Sequence, residues 1–187
     1  MTAAHRAPGA AILGLFHVAI KTSNLNATRE FWCKVLGLKE IARPDFGYPG
    51  AWLACPQPGG QAIIHVYAGG PALGPEGIAP AGTAAIDHLS VACLGFHDYV
   101  ARFKAAGLAW REFIVPGTTL WQLFVYDPSG VQIELTFEGS IEGGTRTAAD
   151  GTTTELPLPD MSPGCGYVAG ATFFDPLKYP DLLTLLN

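Results

Sequence analysis

The chain has 187 residues, of which 49% are hydrophobic and 14% charged, and its formal net charge is -5. That balance fits one compact domain, or two small modules sharing a core, and excludes a disordered chain. The acidic balance and the lack of a basic cluster argue against a nucleic-acid partner. No apolar run approaches the roughly 20 residues that a membrane span needs.

Residues 1–12 read as a loose N-terminal arm whose apolar part is too short for a signal peptide. Cys33, Cys55, Cys93 and Cys165 are scattered without a C-x-x-C pair, so reduced thiols and a cytoplasmic location are expected. From Leu15 to Lys21 the apolar residues alternate, placing Phe16, Val18 and Ile20 on one face and His17, Ala19 and Lys21 on the other. Thr22-Ser23-Asn24 supplies helix-capping chemistry. Ala27, Phe31 and Val35, with Trp32 and Leu36, form a buried helical stripe that Gly37 ends. Strands are predicted near 38–43, 50–55 and 61–68, set apart by Pro/Gly turns.

A Gly/Pro linker at 71–83 separates this first unit (13–70) from a second (84–139) in which the pattern restarts. The second unit predicts a strand at 85–93, then a helix at 95–106 with Phe96, Val100 and Phe103 on its buried side. Strands follow at 108–115, 119–126 and 131–138, with Asp127-Pro128-Ser129-Gly130 as the last turn. Equivalent points recur about 70 positions apart, in Gly37/Gly107, Trp52/Trp121 and His65/Glu134, so the repeat is one of pattern. Residues 140–187 form a C-terminal extension. Ser140–Thr154 reads as a flexible crossing, while Phe173, Phe174, Leu182, Leu183, Leu185 and Leu186 are too apolar for solvent and should dock. The fold class expected is α+β: two paired βαβββ modules forming a curved, cup-like mixed sheet, plus that extension.

Each module carries one potential ligand on its first strand and one on its fourth: His17 and His65, then His88 and Glu134. If the modules pair into a curved wall, these four converge. Two neutral imidazoles and a carboxylate hold a divalent ion with positions left open for substrate, and His65 would add a third imidazole. Taken singly, each histidine is more often a buried, hydrogen-bonded residue than a ligand; their matched positions favour ligation of His17, His88 and Glu134. His65 stands open between metal ligand, general base and a donor that hydrogen-bonds to a ligand. His5 and His97 read as surface residues, and Asp127 as a turn former. Trp52, Trp110 and Trp121 either line a cavity or pack in the core.

Four stretches in order resemble the vicinal oxygen chelate superfamily of glyoxalases, bleomycin-resistance proteins and extradiol dioxygenases. They are Phe16-His17-Val18-Ala19-Ile20, Phe31-Trp32-Cys33-Lys34-Val35-Leu36-Gly37-Leu38, Asp87-His88-Leu89-Ser90-Val91 and the segment from Phe124 to Leu135. The resemblance implies paired βαβββ modules and one divalent metal per chain (Fe, Mn, Zn, Ni or Co) on His17, His88 and Glu134. The fourth metal-facing position falls on His65. It implies a metal-dependent lyase or isomerase that chelates a small oxygen-bearing substrate and stabilises an enolate-like anion, with His65 and Glu134 as catalytic groups. Lys21, Trp52, Tyr67, Gln122 and Phe124 are the candidate substrate contacts; Lys21 matches a position where glyoxalase I carries an anion-holding arginine, although a snorkelling surface lysine is the commoner reading of such a residue. An Fe(II) extradiol dioxygenase is the alternative enzyme, although Phe124 stands where that group carries tyrosine and 115–117 holds no histidine. A non-catalytic binding protein of the drug-sequestering kind is the alternative outside enzymes. A homodimer is among the expected states.

Overall fold

The computed structural model describes residues 14–161. The N-terminal arm 1–12 and the tail residues expected to dock, Phe173 through Leu186, lie outside the described residues, as does Cys165.

The first module runs β1 (Val18–Lys21), α1 (Leu25–Glu30), β2 (Lys39–Ile41), β3 (Gly50–Ala54) and β4 (Ala62–Tyr67). Asn24 caps α1 through its side-chain oxygen, which accepts from Ala27 N–H at 3.0 Å. A π-helical turn, Phe31–Val35, continues α1, with Leu36 N–H reaching Phe31 O at 3.0 Å. The whole predicted stripe is buried there, Phe31 and Val35 fully. The second module runs β5 (Leu89–Ala92), α2 (Phe96–Ala105), β6 (Arg111–Ile114), β7 (Leu120–Tyr126) and β8 (Gln132–Glu138).

Each module folds into a four-stranded mixed sheet of the same order, β1-β4-β3-β2 and β5-β8-β7-β6. In both, the first and fourth strands pair in parallel and the other neighbours antiparallel. Alternation then divides each sheet into a helix-side face and an open face. Ile20, Leu53, Ile64 and Val66 of one sheet and Leu123, Ile133, Leu135 and Phe137 of the other enter a single core with Phe31, Trp32, Phe96 and Phe103. Burying a side chain of this size contributes roughly 1.5–3 kcal/mol. The modules join through this core and through polar contacts that include Trp32 Nε1 to Asp127 Oδ2 at 3.2 Å, Tyr99 OH to Leu36 O at 2.9 Å and Arg102 Nη1 to Val35 O at 3.4 Å. Among the described residues no hydrogen-bonded ladder links the two sheets, and β1 and β5 are each an outermost strand.

Several local expectations change. The linker is stitched to both modules, with Ala79 N–H on Ser23 Oγ at 2.7 Å and Gly82 N–H on Ser129 O at 2.8 Å. The stretch read as a flexible crossing instead holds α3 (Gly139–Glu142) and a hairpin of β9 (Thr145–Thr147) with β10 (Thr153–Glu155). Glu142 of α3 accepts from the first N–H groups of α2, and Arg146 of β9 pairs with Asp98, which anchors the segment. His97 is half-buried, not a surface residue: its ring packs edge-on to Phe96 and Trp121 at 5.3 and 6.2 Å. Trp121 faces the core, 6% exposed, so the packing reading holds for it and the cavity reading does not.

Candidate active site

His17 and His88 occupy the same place in their modules, each at the mouth of its first strand: His17 directly before β1 and His88 directly before β5. Their fourth-strand counterparts lie on the open faces, because Ile64 and Val66 flank His65 inward, and Ile133 and Leu135 flank Glu134 inward.

On the first sheet the rings form a stack. His65 lies parallel to His17 at a centroid distance of 3.8 Å and to Trp52, its cross-strand partner, at 4.5 Å. Its ring faces are therefore covered by the two neighbours, and the residue is 8% exposed. Burial, and then the nearby charge of His17, hold the His65 imidazole below its ordinary range, so it is neutral at neutral pH. His17 Nδ1 is buried and has no hydrogen-bond partner. Lys21 is exposed at the far end of β1, in register with Tyr67.

On the second sheet Glu134 is buried and its two oxygens do different work. Oε2 lies 3.1 Å from His88 Nε2. Oε1 accepts from Ser90 Oγ and Thr136 Oγ1, both at 2.6 Å. The other His88 nitrogen, Nδ1, is 2.6 Å from Asp87 Oδ1, which also accepts from Gln132 Nε2 at 3.2 Å. Phe124, cross-strand from Glu134, sets its ring edge-on to His88 at 5.7 Å. Gln122 sits one step along the same face, in register with Thr136. Arg111 is buried with its guanidinium 4.5 Å above the Phe124 ring.

This donor chemistry suits a divalent ion. His88 Nε2 and Glu134 Oε2 are separated by about the spacing of adjacent ligands, since bonds of roughly 2.0–2.2 Å to nitrogen and oxygen set neighbouring donors about 3 Å apart. Their outer atoms are held by hydroxyls and a carboxylate, the usual second layer of a metal site. The orphaned His17 Nδ1 is a further free donor. The structure gathers the four predicted ligands as two pairs, however, His17 with His65 and His88 with Glu134. Among the described residues no three histidine, cysteine, aspartate or glutamate side chains group as a metal-holding set.

Ser90 and Thr136 lie two residues from His88 and Glu134, on the same strand faces. Their meeting on one carboxylate oxygen depends on the parallel β5–β8 pairing, which no local pattern encodes. Arg111 gave no signal of its own. A separate cavity of about 750 Å³ lies on the helix side between the modules, lined by Trp32, Leu38, Ile63, Val91, Cys93 and Tyr99 among others. None of the four candidate ligands lines it. Burial pushes Cys93 up to about 11 and Tyr99 up to about 12, so neither is a ready nucleophile or base at neutral pH.

A model of the glyoxalase/bleomycin resistance protein/dioxygenase superfamily matches residues 14–135. The chain belongs to this superfamily. Several solved structures share the glyoxalase-like fold. A glyoxalase family protein from Bacillus anthracis superposes with a TM-score of 0.54 at 20% identity, covering 70% of this chain and 99% of that one. The trypanothione-dependent glyoxalase I of Leishmania major gives 0.53 at 20% identity over 68% and 88%. The fosfomycin resistance protein of Listeria monocytogenes gives 0.51 at 19% over 67% and 91%. No curated protein matches the chain in sequence. The superfamily contains metal-dependent enzymes, and its proteins bind small molecules. Among the described residues no helix is long and apolar enough to cross a membrane.

Proposed function

We propose that this glyoxalase-superfamily chain is a metal-dependent enzyme of the lyase or isomerase kind, acting on a small substrate with two neighbouring oxygens. The observation that carries this reading is the Glu134–His88 contact at 3.1 Å, with the outer atoms of both side chains already held by Ser90, Thr136 and Asp87. A divalent ion held by His17, His88 and Glu134 would polarise substrate oxygens as a Lewis acid. The chain's own residues do the rest. Glu134 supplies negative charge, Ser90 and Thr136 fix its orientation, and neutral His65 takes or returns a proton at a ring nitrogen. Phe124 packs on His88 and has no hydroxyl to donate, which favours this chemistry over a tyrosine-assisted dioxygenase.

The two ligand pairs belong to different sheets, and the strands that carry His17 and His88 are outermost. Leu15, Phe16, Ile86 and Leu94, at the ends of those strands, are 59–85% exposed. Within one chain β1 and the start of β5 share a cavity of about 200 Å³ that the linker also lines, and their exposed apolar flanks are the kind of surface that another chain covers. The site therefore joins the first sheet of one copy to the second sheet of another.

Metal complementation tests both parts. His17→Ala and Glu134→Gln proteins should each retain little metal when purified alone. Co-expressed, they should regain it, because a mixed dimer rebuilds one intact site. Full metal retention by both single variants would end the ligand assignment. Metal-free variants that do not complement each other would place each site within one chain.

A further inference from the structure

The open face of the first sheet carries a feature that the metal reading does not use: an arginine laid across aromatic rings. Arg43, in the β2–β3 loop, places its guanidinium carbon 5.2 Å from the ring centroids of both Phe46 and Tyr48. Its Nη2 donates to Tyr48 O, which fixes one side of the fork and leaves the remaining donors free. The guanidinium lies beside the backbone of Gly50, where Val66 O, 2.3 Å from the position of a Cβ, excludes a side chain, while the guanidinium carbon at 3.4 Å is in ordinary contact distance.

The rings continue from there to the candidate ligands. Tyr48 meets Tyr67 edge-on at 5.7 Å, Phe46 lies 6.2 Å from Trp52, and Trp52 stacks on His65. Phe46 is 46% exposed, so the row is open to a ligand. The charged strand residues that register places on this face are cations. Lys21 and Lys39 share it by register, whereas Glu40 alternates to the other side and pairs with Arg29. Asp45, in the same loop as Arg43, accepts from Gly47 N–H, and among the described residues no carboxylate pairs with Arg43.

We infer that this face binds a planar aromatic anion, its ring against Phe46 and Trp52 and its anionic group on the Arg43 fork. The inference rests on reading this face as part of the active site, and it names the substrate class. A guanidinium with free, coplanar donors matches a carboxylate. An aliphatic anion would leave the ring row unused, and a neutral aromatic would leave the cation unpaired.

The probes are benzoate, benzamide and cyclohexanecarboxylate, titrated calorimetrically into the full-length protein. Benzoate should bind about tenfold or more tightly than benzamide, the size expected for a charge-assisted hydrogen bond, and several-fold more tightly than cyclohexanecarboxylate, which keeps the charge but loses the aromatic stacking. Arg43→Gln should bring benzoate down to the level of benzamide, leaving benzamide affinity and metal content unchanged. Phe46→Leu, at a half-exposed position with little risk to folding, should weaken benzoate several-fold. Equal affinity for the three probes, or an Arg43→Gln protein that keeps benzoate affinity, overturns the inference. Failure of the metal reading has a different signature: a metal-poor wild-type protein that still ranks the probes in this order.

Discussion

Trp32 donates its indole N–H to Asp127 Oδ2 at 3.2 Å, joining two residues 95 positions apart and in different modules. The other oxygen of Asp127 accepts from Ser129 N–H at 2.8 Å and Val131 N–H at 2.9 Å, closing the β7–β8 turn. A residue that looks like a simple turn former thus also fixes how the first module's helix sits on the second module. Asp127 is fully buried, and burial outweighs these donors, raising its carboxyl from 3.8 to about 6.

The sign of the pH effect follows. Between about pH 4 and pH 6 the folded protein holds a proton at Asp127 that the unfolded chain has lost, so stability falls as pH rises through that window. A rise from 3.8 to about 6 corresponds to about 3 kcal/mol, fully felt by pH 7. Asp127→Asn removes this term while keeping an acceptor for the turn. Urea unfolding at pH 4, 5.5 and 7 should show the wild type losing stability relative to Asp127→Asn as pH rises. A constant difference between the two proteins would mean that Asp127 does not titrate in this range.

Glu142 tests the anchoring of the segment beyond the second sheet. Its carboxylate accepts from Gly95 N–H at 2.8 Å and Phe96 N–H at 2.9 Å, where α2 begins. Gly95 has φ +88°, so no side chain of its own closes that end. A carboxylate there satisfies two orphan donors and lies at the positive end of the helix. Glu142→Ala should cost about 1–3 kcal/mol of stability, and Glu142→Gln less. Identical urea midpoints for Glu142→Ala and wild type would show that water replaces the carboxylate at no cost.

Ser90 and Thr136 test the second layer around Glu134. Both hydroxyls donate to Oε1 at 2.6 Å, so removing one frees the carboxylate to rotate without deleting it. If Glu134 holds a metal, Ser90→Ala should weaken metal affinity about 10–100-fold while the fold is kept. Competition with a chelator of known affinity measures this. Unchanged affinity in Ser90→Ala together with Thr136→Val would place the ion elsewhere.

How much of this was legible in the chain differs from residue to residue. The helical stripe from Ala27 to Leu36 and the alternation around His65 and Glu134 are local periodicities, and both modules follow them. The convergence of four ligands depended on how the sheets join, which no local pattern records. Trp52 stacks on His65 because the β3–β4 register pairs them, whereas His17 reaches the ring from two residues before Ala19, the residue that the β1–β4 register sets opposite His65. Arg43 and Glu142 carry no periodic signal. One lies in a loop, and the other sits in a Gly-rich stretch whose order comes from a tertiary contact with α2.

His65 separates proton transfer from metal binding and from packing. Its pKa is lowered first by burial and then by the charge of His17, so protonation should occur below 6.5 in an NMR titration of the ring. As a general base it works in the neutral form, so turnover on a lyase or isomerase substrate should rise as pH climbs through that lowered value and then level off. His65→Ala removes both the base and the middle ring of the stack, and should lower turnover about 10²–10⁴-fold. His65→Phe keeps a ring between His17 and Trp52 but cannot carry a proton, whereas His65→Gln can still ligate or hydrogen-bond. If the imidazole transfers the proton, all three variants lose turnover to a similar extent and keep their metal. Activity retained by Phe would reduce His65 to a stacking spacer. Activity retained by Gln, or loss of metal from Ala and Phe with retention by Gln, would make it a fourth ligand.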